Sequence, residues 1–373
     1  MSKQFIANCK KWFLTNNILS RLGVFVLVFA TIGTIVLLTS QAASPNIAFE
    51  PEAGTITSPA SIVDDSSASS GKAVLFSAPA PTGLTLLWSD EFNGTSLDTT
   101  KWSAVTGTLD YDQGCYTSDA DNLQISGGNL VIRTKKEANS CPSAYIKYPS
   151  PNGKTVARPY TTAYVRTSPT KYIVSPESVS SKILRIEFRA QQPGVQGLWA
   201  ALWSRNQYSS KTIGAPDPYG ELDVMEKWGD ETNNMTFTNT SWLGGKSSDG
   251  KTGYITNRKC PIPTGDISLM NNCVNVATSM IVYAIEIDTS KAKPEVRYYA
   301  DGRLLTTHNQ DTVRNDGTYP FNAADWSKSL KGQWDLRIMT QVVDVDYPYH
   351  VEPDASFSEA EFKIDYVRVY SVN

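Results

Sequence analysis

The sequence predicts an all-β fold, a jelly-roll β-sandwich of two antiparallel sheets. Two observations carry that reading. From Leu84 onward, strand-length segments are divided by clusters of Gly, Pro, Asn and Ser, and no long amphipathic helix interrupts them. Within those segments apolar and polar residues alternate, as half-buried antiparallel strands require. In 182–189, Leu184, Ile186 and Phe188 share one face while Arg185, Glu187 and Arg189 share the other. Further strands are expected over 129–134, 163–167, 280–288, 296–300, 334–342 and 362–370. Short strands without a helical layer point to a sandwich.

The 373 residues divide unequally. Residues 1–43 read as a targeting segment. Residues 22–38 carry no charge, and Lys3, Lys10, Lys11 and Arg21 all precede them. Basic residues ahead of an apolar run hold the N-terminus in the cytoplasm and send the remainder across the membrane. As a helix the run spans about 26 Å, slightly short of the roughly 30 Å hydrocarbon core. Small residues at 40–42 suit signal cleavage, whereas the length of the run suits a retained anchor. Both readings place the rest outside the cell or at its surface, with the membrane met only through this segment.

Residues 44–76 alternate short apolar patches with Ser-rich stretches, and they resemble the opening of the β-sandwich carbohydrate-binding modules. A complete sandwich needs about 100 residues, so a remnant or a strand pair is expected here. Residues 77–83, SAPAPTG, read as a semi-stiff linker. Residues 84–373 form the main β domain.

Composition excludes several chemistries. His308 and His350 are the only histidines, too few for multi-histidine metal sites. The net charge is −3, and the basic targeting segment leaves the remainder more negative still. That balance argues against a nucleic-acid partner, which needs a basic face. The chain carries 9 Trp and 18 Tyr, side chains suited to stacking on sugar rings. Cys115, Cys141, Cys260 and Cys273 follow the targeting segment and meet an oxidising compartment. Loop closure favours the neighbouring pairs Cys115–Cys141 and Cys260–Cys273 among the three pairings open to four cysteines. Zinc is the competing reading, and no CxxC or nearby histidine supports it.

Residues 220–226, GELDVME, place Glu221, Asp223 and Glu226 in an apolar, strand-like setting. On a regular strand Glu221 and Asp223 share a face, but Glu226 lies an odd number of steps away. One β-bulge near Val224–Met225 returns Glu226 to that face. The result is a row of three carboxyl groups with the glutamates at its ends. Such a row suits glycoside hydrolysis with retention, in which one glutamate attacks the anomeric carbon and the other protonates the leaving oxygen. The middle aspartate helps keep the two in different protonation states. A surface acid cluster arises by chance often enough that the neighbouring segments must decide.

Those segments are similar to glycoside hydrolase family 16, whose members carry E-x-D-x-x-E on a bulged strand. WSDEFNG at 88–94 followed by LDTTKW at 97–102 resembles the family's opening. Asn122, GNLVI at 128–132 and YTTA at 160–163 resemble its next strands, and GLWAALW at 197–203 its G-x-W-P-A-x-W, with Ala200 in place of the usual proline. YAIEI at 283–287, YADG at 299–302 and IDYVRVY at 364–370 complete the order. The resemblance spans Leu84 to the C-terminus and implies a jelly roll with a concave substrate cleft. It makes Glu221 the nucleophile, Glu226 the acid/base and Asp223 the assisting acid. It also puts Glu187 and Arg189 on a cleft strand. Trp199 and Trp203 share a strand face and either stack on sugar or pack in the core; Trp228 and Trp242 are weaker cleft candidates.

Catalysis of this kind needs no cofactor. Family members often hold a structural calcium, for which Glu91, Gly128 and Asp365 stand at the matching positions; an ion-paired Asp365 is the other reading. Many laminarinase-like members place a histidine about a dozen residues beyond the acid/base, where this chain has Asn239. The resemblance implies a monomeric, exported endo-β-glycanase acting on polysaccharide, leaning toward β-1,3- or mixed-linkage glucan. A non-catalytic glucan-binding protein and a transglycosylase are the alternatives, and the retained glutamates favour catalysis.

Overall fold

Alternation along the chain resolves into two sheets over a shared apolar layer in a computed structural model. It describes Lys11 and residues 60–64, 71–76, 82–108, 112–142, 155–167, 174–210, 220–227, 237–243, 255–259, 276–312, 322–342 and 351–373. The chain divides into two units, Met1–Pro79 and Ala80–Asn373. In the first, β1 (Ala60–Asp64) and β2 (Lys72–Phe76) pair antiparallel. The apolar run 22–38 lies outside the described residues, among which no helix is long and apolar enough to cross a membrane.

The second unit continues with β3 (Leu84–Asp90), β4 (Trp102–Ala104), β5 (Gly114–Tyr116), β6 (Leu123–Ser126), β7 (Asn129–Lys135) and β8 (Asn139–Pro142). Next come β9 (Thr155–Arg158), β10 (Tyr160–Thr162), β11 (Tyr164–Thr167), β12 (Ile183–Gln191), β13 (Leu198–Arg205) and β14 (Gly220–Lys227). The last are β15 (Phe237–Leu243), β16 (Ile255–Lys259), β17 (Ile281–Asp288), β18 (Glu295–Ala300), β19 (Arg303–Asn309), β20 (Arg337–Val342) and β21 (Glu359–Val372). Among the described residues they build a ten-stranded sheet ordered β19-β18-β17-β12-β21-β7-β10-β5, with β3 on β21 and β6 on β7. A seven-stranded sheet runs β16-β15-β14-β13-β20-β11-β4, and β8 and β9 pair in a small sheet of their own. Their pairings are antiparallel except β5 with β10. The architecture is the expected jelly-roll sandwich.

The core fills the space between the sheets. Leu184, Ile186 and Phe188 of β12 and Ile285 and Ile287 of β17 meet Leu202 of β13 and Leu222, Val224 and Met225 of β14 in one buried cluster. Each is sealed from water, which on transfer energetics is worth about 1.5–3 kcal/mol per large side chain. The strand expected from Trp334 begins only at Arg337. Trp334 instead bridges Val174 and Asn206 and donates its indole N–H to the Leu330 carbonyl at 3.2 Å. That carbonyl ends the helix Ala323–Leu330, whose start Asn322 caps by accepting from the Ala324 and Asp325 amides.

Cys115 and Cys141 form a disulfide joining β5 to β8. The proposed partners Cys260 and Cys273 lie outside the described residues, as does His350. His308 is fully buried with its Nδ1 2.8 Å from the Ser241 hydroxyl, so it belongs to the interior.

Candidate active site

The carboxylate row stands on β14, one strand in from the paired end strands β15 and β16. Its entry is fixed by Gly220, where a Cβ would fall 2.4 Å from Asn206 Nδ2 and 2.5 Å from Ser329 Oγ. Any side chain there would have to displace both groups, and the glycine amide donates to Asn206 Oδ1 at 3.1 Å. Further along, the register breaks as the odd spacing demands. Against β13, Trp203 faces Asp223 but Leu202 already faces Met225, so the register steps over Val224. Against β15, Asp223 faces Thr240 and Glu226 faces Thr238 across the same irregularity. The bulge sends Leu222, Val224 and Met225 into the core. It leaves Glu221, Asp223 and Glu226 on the outer face, opposite Arg205, Trp203 and Ala201 of β13.

The three carboxyl groups sit in different surroundings. Glu221 accepts from Arg205 Nε at 2.6 Å through its Oε2. Glu226, 7% exposed, accepts from the indole N–H of Trp199 at 3.1 Å through its Oε1. Asp223 lies between them, 4% exposed. Burial pushes its carboxyl well above the usual carboxylate range, the neighbouring charges of Glu226 and Glu221 push it further, and Arg205 opposes them. These effects favour the neutral form of Asp223 more than in an ordinary aspartate.

The floor beside the row is aromatic and cationic. Tyr164 stacks on Trp203 with ring centres 6.0 Å apart, and Tyr116 meets Tyr164 edge-on at 5.7 Å. The guanidinium groups of Arg205 and Arg337 lie 4.9 and 4.8 Å from the Trp203 ring centre. Arg337 grips Asp335 through Nε and Nη2 and donates from Nη1 to the Tyr164 hydroxyl at 2.8 Å. Tyr116 in turn donates to Asp112, a fully buried carboxyl that also accepts from the Gly114 and Val342 amides. Burial pushes Asp112 up to about 7 against those hydrogen bonds.

Sequence expectations fare unequally here. Trp199 is partly exposed on the outer face and touches Glu226. Trp203 is only 8% exposed, its ring covered by Tyr164 and the arginines, so it packs beneath the row and offers no sugar platform. Glu187 and Arg189 need correcting. They stand on β12 of the ten-stranded sheet, and the apolar layer separates them from the triplet. There Glu187 pairs with Arg185 at 2.7 Å and Arg189 with Asp365. In backbone register Trp242 is the β15 partner of Glu221, and Asn239 faces Asn257 of β16. The side chains of both, and Trp228 altogether, lie outside the described residues.

The calcium expectation does not fit. Both oxygens of Glu91 accept from Arg368, at 2.9 and 2.8 Å, and Asp365 is held by Arg189. Two carboxylates neutralised by guanidinium groups do not offer the anionic oxygens a hard cation needs. Among the described residues no cluster of three metal-ligating side chains occurs. Arg205, Arg337 and Tyr164 are site residues that sequence reasoning missed. The alternation 199, 201, 203, 205 already placed Arg205 on the triplet's side of its strand.

No family model matches the chain. Over 306 residues it is 27% identical to the glucan endo-1,3-β-glucosidase A1 of Niallia circulans, covering 78% of this chain and 38% of that protein. Over 300 residues it is 24% identical to the keratan-sulfate endo-1,4-β-galactosidase of Sphingobacterium multivorum, covering 79% of this chain and 56% of the relative. The chain thus spans less than two thirds of either relative's length. Among solved structures, the catalytic domain of an endo-1,3-β-glucanase (laminarinase) from Thermotoga petrophila RKU-1 superposes with a TM-score of 0.57 at 23% identity. That match covers 78% of this chain and 98% of the laminarinase domain.

Proposed function

We propose that this chain, with the jelly-roll fold of the family 16 laminarinases, is an exported retaining endo-β-glycanase acting on β-1,3- or mixed-linkage glucan. One observation carries the reading. A single bulge puts Glu221, Asp223 and Glu226 on one face, with Arg205 donating to Glu221 and the Trp199 indole to Glu226. In the first step a carboxylate oxygen of Glu221 forms a bond to the anomeric carbon. The glycosidic bond breaks as Glu226 passes its proton to the leaving oxygen. In the second, Glu226 takes a proton from water, the water oxygen attacks the same carbon, and Glu221 departs as carboxylate. Burial and the two flanking glutamates hold the Asp223 carboxyl above the usual carboxylate range, which helps keep those glutamates in different protonation states.

The experiment is hydrolysis of laminarin, lichenan, agarose and keratan sulfate, with the first-formed anomer read by NMR. Laminarin or lichenan cleavage with initial β-product supports the reading. Inversion, or activity on none of the four, overturns it, and activity confined to the galactans replaces the glucan assignment.

A further inference from the structure

We propose that Arg205 is a positioning residue that singles out Glu221 as the nucleophile. The inference rests on the glycanase reading and deepens it. Two glutamates of like chemistry flank Asp223, and sequence symmetry alone does not divide their roles. Their partners do. Glu226 receives a neutral indole N–H, whereas Glu221 receives a guanidinium N–H at 2.6 Å. The Arg205 and Glu221 side chains are 18% and 16% exposed, so solvent screens their pairing only in part.

Arg205 is itself held on several sides. Its amide donates to Asp335 Oδ1 at 2.9 Å, its register partner on β14 is Glu221, and its guanidinium lies over Trp203. Asp335 is clamped by Arg337, which also lies against Trp203 and bonds Tyr164. One aspartate therefore anchors both arginines, and one indole carries both guanidinium groups. Such a frame fixes the fork before substrate arrives, which limits the entropy lost when it orients a carboxylate.

The chemistry uses this contact twice. During attack it holds one oxygen of Glu221 and so sets the direction of the carboxylate toward the anomeric carbon. During hydrolysis of the glycosyl–enzyme the electron pair of the breaking carbon–oxygen bond returns to Glu221, and Arg205 meets the charge that reappears. The arginine forms no covalent bond and transfers no proton.

The test compares Arg205→Ala, Arg205→Lys and Glu221→Ala in the full chain, with folding followed by circular dichroism. Loss of orientation costs on the order of 100-fold in rate, so Arg205→Ala should lower kcat by about that factor with KM changed by less than about threefold. Added guanidinium ion should restore Arg205→Ala and leave Glu221→Ala dead, while azide should do the reverse. Arg205→Lys should recover part of the rate, since it returns the charge without the planar fork. Arg205→Ala with an undiminished kcat overturns the proposal, as does a folded variant rescued by neither lysine nor guanidinium. Full hydrolysis by Glu221→Ala overturns the nucleophile assignment itself, an outcome that azide and the arginine variants keep distinct.

Discussion

The indole N–H of Trp199 donates to Oε1 of Glu226 at 3.1 Å, across the pair of strands that carries the carboxylate row. A hydrogen bond to an ionisable group contributes about 1.5–3 kcal/mol. Trp199→Phe keeps an aromatic ring and removes only the donor, so kcat should fall about tenfold with KM little changed. Trp199→Ala should raise KM as well, because a partly exposed ring beside the row is lost. Steady-state kinetics on laminarin check both, and an unchanged kcat in the phenylalanine variant would separate Trp199 from the proton transfer.

Glu221 and Glu226 should fail in different ways. Glu221→Ala should lose hydrolysis, with azide restoring turnover as an external nucleophile and yielding an α-glycosyl azide. Glu226→Ala should retain activity on aryl glycosides with acidic leaving groups, which need little protonation, while losing it on glucan. Equal losses on both substrate types would contradict the acid/base role.

Asp112 predicts a pH effect on stability. Its carboxyl is pushed up to about 7 by burial, against roughly 3.9 in an unfolded chain. A pKa raised on folding means the native state holds the proton more tightly than the unfolded one. The stability it contributes is complete below the unfolded value and is lost as pH rises from about 4 through about 7. Asp112→Asn cannot ionise; its oxygen still accepts from the Gly114 and Val342 amides, and its NH2 can donate to the Tyr116 hydroxyl oxygen. The wild-type melting temperature should therefore decline across that window relative to the variant, and parallel melting curves from pH 4 to 8 would refute it.

Arg368 and Glu91 form a two-pronged ion pair where a metal was expected. Melting temperature should accordingly be the same in EDTA and in millimolar calcium. Arg368→Ala leaves Glu91 without its partner on a half-buried strand end and should cost about 1–3 kcal/mol. A rise in melting temperature with calcium in the wild type would restore the metal reading.

Much of this site was legible because a strand has a period of two. The odd step from Asp223 to Glu226 implies a bulge before any register is known, and the β13 register steps over Val224 as that requires. The same period placed Leu184, Ile186 and Phe188 in the core. It was silent on which sheet a strand joins, and so Glu187 and Arg189 were put at the cleft although β12 lies across the core from it. Trp203 shows a second limit. Alternation gives its face but not its cover, which comes from Tyr164, 39 positions earlier, and Arg337, 134 positions later. The link from Arg205 to Asp335 is equally remote in sequence.

The step in register at Val224 makes the site a matter of parity. Substitutions along β14 change one side chain and leave every other pointing as before. Removing a single residue between Asp223 and Glu226 would remove the bulge and leave Glu226 on the outer face by plain alternation, two steps from Asp223. Flattening the bulge while keeping both residues is what would turn Glu226 toward the apolar layer and Lys227 outward, so the row depends on this step in register as much as on its three acids.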